Sequence, residues 1–220
     1  MRNVSLFFSF VFHPVFIPLY SVFFYFKIDN YQNRILSIDD KFLYVMFSLM
    51  IIIGIVFPLI SLFIMRKTRI ISDFNLFQRK ERIPVLIIVF LYYVMIYFMY
   101  RTWNESYLNL PSPFDQLMSF LFAGLILLIL SIVITMKLKI SLHSLAISGM
   151  AGGFLALTIV MSPIYNIETV TQFNALLLIT MGIVGSSRLL LKAHSVQEVL
   201  IGMALGFGIE YIVVINQWSV

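Results

Sequence analysis

The sequence predicts an all-α, polytopic transmembrane helical bundle of six to seven spans, and three observations carry that prediction. Hydrophobic residues make up 61% of the chain and charged residues only 11%, against roughly a quarter charged in a soluble domain. Apolar runs recur from one end to the other, most of them close to the ~20 residues that cross the hydrocarbon core of a bilayer. None of them breaks into the short alternating segments that build a membrane barrel. A chain of 220 residues with this balance could not clothe itself in polar groups, so lipid is its solvent.

In order, the candidate spans cover about 4–26, 42–65, 84–100, 116–136, 144–163, 170–190 and 196–217. The first follows only Met1 and Arg2. It is too long for a signal-peptide core and has no small-residue cleavage site, so it reads as a span that stays. His13, Pro14 and Pro18 should kink it, and Pro58 should kink the second, because proline removes a helix hydrogen bond. The third run is the shortest. Gly149, Ala151, Gly152 and Gly153 predict close packing for the fifth span, and Gly202 with Gly206 predict it for the last. With no repeat, low-complexity tract or linker, the reading is one membrane domain over 1–220: accessory N-terminal spans at about 4–65 and a core at about 66–217.

Seven spans sort the connections onto two faces. Face one takes the N-terminus and 66–83, 137–143 and 188–195; face two takes 27–41, 101–115, 164–169 and the C-terminus. Lysine and arginine divide eleven to four in favour of face one. The positive-inside rule would put face one in the cytoplasm, unless some of those cations serve chemistry and inflate the count. Short loops and compact size fit a bacterial inner membrane.

Composition also excludes. There is no cysteine, hence no disulfide, thiolate metal site or thiol nucleophile. The net charge of +5 does not mark a nucleic-acid binder, because the basic residues flank apolar runs, where anionic lipid headgroups are the natural partners.

The chemistry concentrates on face one. His143 and His194 open two different spans. Lys137, Lys139 and Ser141 precede the first, and Ser187, Arg188 and Lys192 precede the second. Glu198 lies four residues after His194. That spacing puts a carboxylate on the imidazole's own helix face, where it can fix the tautomer and brace an imidazolium. Ionisable groups at the edge of a span are expensive and call for a function. His13, far from any other polar signature, reads as structural.

The stretch Ser187-Arg188, five residues, His194, three residues, Glu198, then Gly202 resembles the third signature of the type 2 phosphatidic acid phosphatase superfamily, with glutamate where that signature has aspartate. Ile140-Ser141-Leu142-His143 keeps the serine and histidine of the second signature, Pro-Ser-Gly-His. The first signature is lysine, six residues, Arg-Pro. Its nearest counterpart runs from Asn75 to Arg82-Ile83-Pro84, with Arg79, Lys80 or Arg82 able to supply the charge and Lys137 and Lys139 as rivals. The resemblance implies a metal-independent site, without cofactor, that hydrolyses a membrane lipid phosphate or pyrophosphate ester. His194 would attack phosphorus, Glu198 would orient it, and His143 would protonate the leaving alkoxide and then activate water. Arg188, Ser141, Lys139, Lys80 and Arg82 would hold the phosphate. Fixed cations suit phosphoryl transfer, which spreads charge over equatorial oxygens. Two other readings stand beside it: a degenerate relative that only binds an anionic lipid, and a small anion transporter.

Overall fold

The computed structural model describes residues 2–27, 40–74, 76, 78–105, 114–161 and 167–219. Expectations resting on Asn75, Arg34, Pro111, Pro113 and most of the face-two connections lie outside those residues. The described residues are 84% helical and include no strand. Among the described residues six helices are long and apolar enough to cross a membrane, so the chain is an integral membrane protein of the helical-bundle class.

The first expected span is not one helix. It divides into α1 (Arg2–Val11) and α2 (Ile17–Lys27), separated at His13-Pro14. Proline has no amide hydrogen to give the preceding turn, and its ring disfavours helix in the residue before it. Pro18, in the first turn of α2, costs nothing there. The helix α1 buries Ser5 and Ser9 and exposes Val4, Leu6, Phe7 and Phe10. Polar-inside, apolar-outside is the amphipathicity lipid demands. Pieces of this length cannot span singly: α1 lies against the face-one end of the bundle, and α2 reaches towards face two, where Phe26 meets Phe114.

Next come α3 (Asp40–Ile51), a π-helical turn (Ile52–Val56) and α4 (Phe57–Lys67), which together make one span. The widened turn directly precedes Pro58, whose missing donor it accommodates. The third run, expected to be the shortest, sits in a helix of 27 residues, α5 (Arg79–Glu105). Hydropathy sees only its apolar middle. The helix continues into polar ends, one held by the Arg101–Glu105 ion pair at 2.9 Å. Then follow α6 (Asp115–Thr135), α7 (Leu142–Val160), α8 (Ile167–Leu190) and α9 (Val196–Ile215).

The hub is α7. It is among the least hydrophobic of the spans yet the most buried, because its small and hydroxyl-bearing residues face other helices instead of lipid. It packs most extensively on α9, which runs parallel to it, and also on α8. A Cβ at Gly206 would overlap the Leu145 carbonyl oxygen and Ser148 Oγ, and one at Gly152 would overlap the Phe207 carbonyl. The two backbones touch only because these positions carry no side chain.

Candidate functional site

Two helix starts build the site. Ser195, in extended conformation, caps α9 by accepting from the Glu198 amide at 3.3 Å, and Ser141 caps α7 in the same way through Ser144. Ser195-Val196-Gln197-Glu198 has the spacing of a capping box, in which the glutamate would turn back to the cap amide. Here it turns instead to the imidazole: His194 Nδ1 donates to Glu198 Oε2 at 2.6 Å. The proton is thereby held on Nδ1, and Nε2 is left with its lone pair.

The two starts are locked together. The Ser141 amide donates to the Glu198 carbonyl at 3.2 Å, Lys139 Nζ donates to the Ala193 carbonyl at 3.1 Å, and Gly202 lies against the Ser141 carbonyl. Residues 139–143 and 194–202 are therefore one structural unit. The turn out of α8 places Lys192 at φ 51°, a left-handed conformation that reverses the chain into His194.

A cavity of about 660 Å³ opens beside this unit on face one. Its wall carries His194 and five cations: Arg2, Arg82, Lys139, Arg188 and Lys192, with Leu6 and Leu190 among the apolar members. Among the described residues no carboxylate lines it. Arg188 Nη1 donates to Ser9 Oγ at 3.2 Å, while its Nε is buried without a partner. A buried guanidinium donor that lacks an acceptor is costly, and an anion in the cavity would supply one. Among the described residues no group of three or more histidines and carboxylates gathers in a way that could hold a metal.

Of the residues singled out in the sequence, His194, Glu198, Arg188, Lys139 and Arg82 converge, with Arg82 within electrostatic reach of both Glu198 and Arg188. Three do not follow expectation. Ser141 is fully buried and caps α7, so it does not face a ligand. Lys80 is exposed and off the cavity wall; two positions on a helix are about 200° apart, so Lys80 and Arg82 cannot share a side. His143 lies next to Arg188 but does not line the cavity: its Nε2 donates to the Ser9 carbonyl at 3.1 Å. Its ring stands edge-on to His13, with centroids 5.0 Å apart. Arg2, on the cavity wall, and Ser9, the acceptor for Arg188 and His143, were not singled out in the sequence; His13, read there as structural, packs against His143.

Burial, with Lys139 and Arg188 adding to it and the Glu198 hydrogen bond opposing, pushes the His194 pKa down to about 4 from an ordinary 6.5. The imidazole is therefore neutral at physiological pH. An unfolded chain takes up this proton near 6.5 and the fold resists it to about 4. Stability should fall as pH drops through that window, by up to about 1.4 kcal/mol per pH unit. Thermal unfolding in detergent checks this: His194→Gln should lose part of the acid sensitivity, and an unchanged pH dependence would contradict the assignment.

Set against profiles of known protein families, curated proteins and solved structures, the chain matches none.

Proposed function

We propose that this protein is a membrane lipid phosphatase of the type 2 phosphatidic acid phosphatase kind, acting through a phosphohistidine. The observation that carries the proposal is a neutral histidine, braced by a carboxylate one helical turn on, opening into a basic cavity that holds an unsatisfied arginine donor. In this reading the phosphate sits among Arg82, Lys139 and Arg188. His194 Nε2 attacks phosphorus; the N–P bond forms as the ester P–O bond breaks, and the alkoxide leaves with a proton. Water then attacks phosphorus, the N–P bond breaks, and inorganic phosphate departs. Glu198 stabilises the Nδ1–H throughout. His143 is the proton carrier by resemblance, and to use Nε2 it must exchange its bond to the Ser9 carbonyl for one to the leaving oxygen.

A lipid substrate is favoured by a second hollow of about 450 Å³ along the α1–α8 seam, lined by Val4, Phe8, Ile179, Gly182 and Ile183 and sharing Leu190 with the basic cavity. A hydrocarbon chain lying there would place its headgroup at Arg188. A Cβ at Gly182 would meet nothing within 4 Å, so there is room at the hollow's wall for a side chain to start.

One experiment tests both parts: phosphate release by purified protein from long-chain lipid phosphates and from a soluble short-chain ester, with and without chelator. Release should survive chelation. Gly182→Leu should slow the long-chain reaction about tenfold, the value of roughly two buried methylenes, and spare the short-chain one. Equal loss on both would remove the seam from the proposal. No release from any ester would favour the binding-only reading, which draws its own support from His143 standing off the cavity wall.

A further inference from the structure

The opposite half of the bundle holds a carboxyl group for which phosphate chemistry has no use. Glu210, on α9, is 97% buried, since only 3% of its surface is exposed, and its Oε2 has no hydrogen-bond partner. It lies five residues from the α9 C-terminus at Ile215, about 8 Å along a helix, and so nearer face two than the histidines.

Among the described residues, the helices packed around it offer no counter-charge. The helices packed on α9 are α7, α6 and α8. Titratable or charged groups on α7 are limited to His143 at the far end, and on α6 to Asp115 at its first residue; α8 carries Glu168 in its first turn and Arg188 in its last. On α9 itself there are only Glu198 in the first turn and the neighbouring Tyr211. Asp115 and Glu168 carry the same sign of charge as an ionised Glu210, so neither can neutralise it, and they are met instead by Asn104 and Gln172.

Hydrogen-bond donors are short in this half of the bundle as well. The Glu210 side chain and the Phe120 ring fill the space beside Gly153. Gln116, one turn before Phe120 on the same side of α6, has a buried Oε1 without a partner. Five residues beyond Gly153 on α7, Thr158 accepts from Asn174 Nδ2 at 2.7 Å, leaving Asn174 Oδ1 buried and unpaired. Buried oxygen acceptors on three helices, Gln116 Oε1, Asn174 Oδ1 and Glu210 Oε2, thus lack hydrogens. An unpaired carboxylate there would carry the full cost of a buried charge. A carboxylic acid avoids it and adds one donor.

We propose that Glu210 is a proton-binding site within the membrane, loaded at neutral pH and exchanging from the face opposite the histidine cavity. It is independent of the phosphatase reading. An ionised Glu210 would draw water between α9 and α7 and loosen the seam that seats His194.

Infrared difference spectra of the intact protein against Glu210→Gln, a neutral isostere that should fold, test this directly. The expected result is a protonated-carboxyl carbonyl band at neutral pH, absent from the variant, that shifts on transfer into D2O and is unchanged by sodium or potassium. A difference containing only carboxylate bands would overturn the proposal. So would a band that fails to shift, since the proton would then not exchange, or one abolished by sodium, which would make the ligand a metal cation. Labelling by an apolar carbodiimide gives a second readout. The acid proton passes to a carbodiimide nitrogen, the carboxyl oxygen adds to its carbon, and the acyl group migrates to nitrogen as a stable adduct. The Glu210 peptide should carry the adduct; labelling confined to other carboxyls would count against the site.

Discussion

His194→Ala is expected to abolish phosphate release from every lipid phosphate the wild-type protein hydrolyses, a loss of about ten-thousandfold or more. Among the described residues the side chain is the only cavity-lining group that is both neutral and nucleophilic; every other polar residue on that wall is a cation. The informative companion is Glu198→Gln. It keeps the shape and can still accept from Nδ1, but it cannot stabilise positive charge on the ring as the N–P bond forms. It should cut kcat by about a thousandfold and leave KM nearly unchanged, because Glu198 is not on the cavity wall. Steady-state kinetics in mixed micelles separate the two parameters. A variant whose KM rises with kcat intact would make Glu198 a binding residue and remove its role as brace.

The second large effect is structural. Gly206→Leu should destabilise the protein by about 3 kcal/mol or more, the cost of forcing bulk into a seam with no room. The clash is with Ser148 Oγ and with the Leu145 carbonyl, which is backbone and cannot rotate aside. Because α9 carries His194 at its head, the same substitution should reduce activity in whatever fraction folds. Gly208→Ala, two residues along the same helix, meets nothing within 4 Å and should behave as wild type. Thermal unfolding in detergent distinguishes them; equal stabilities would mean that α7 and α9 do not depend on this close approach.

Much of this was legible in the sequence, for local reasons. Spans are legible because lipid makes a strict demand on composition, and the His194–Glu198 pair is legible because four residues is one helical turn. Ser141 was readable in a different sense: a serine just before a helical run is a cap signal, and capping is what it does. The failures are non-local. Nothing in the spacing of His143 announces that the Ser9 carbonyl, from the other end of the chain, will take its Nε2. The choice of Arg82 over Lys80 depends on which side of α5 faces the bundle, and a run of cations does not encode that. Pro14 was read as a kink, but with His13 before it and Pro18 following it ends one helix and lets a second begin, which turns α1 from a span into a wall of the site.

The most direct test is rapid quenching of the protein with a phosphorus-radiolabelled lipid phosphate, followed by peptide mapping. The expected result is an acid-labile, base-stable phosphoryl adduct on His194 that accumulates in burst phase and is missing from His194→Ala. Phosphate release with no label on His194, or with label on another side chain, would contradict it.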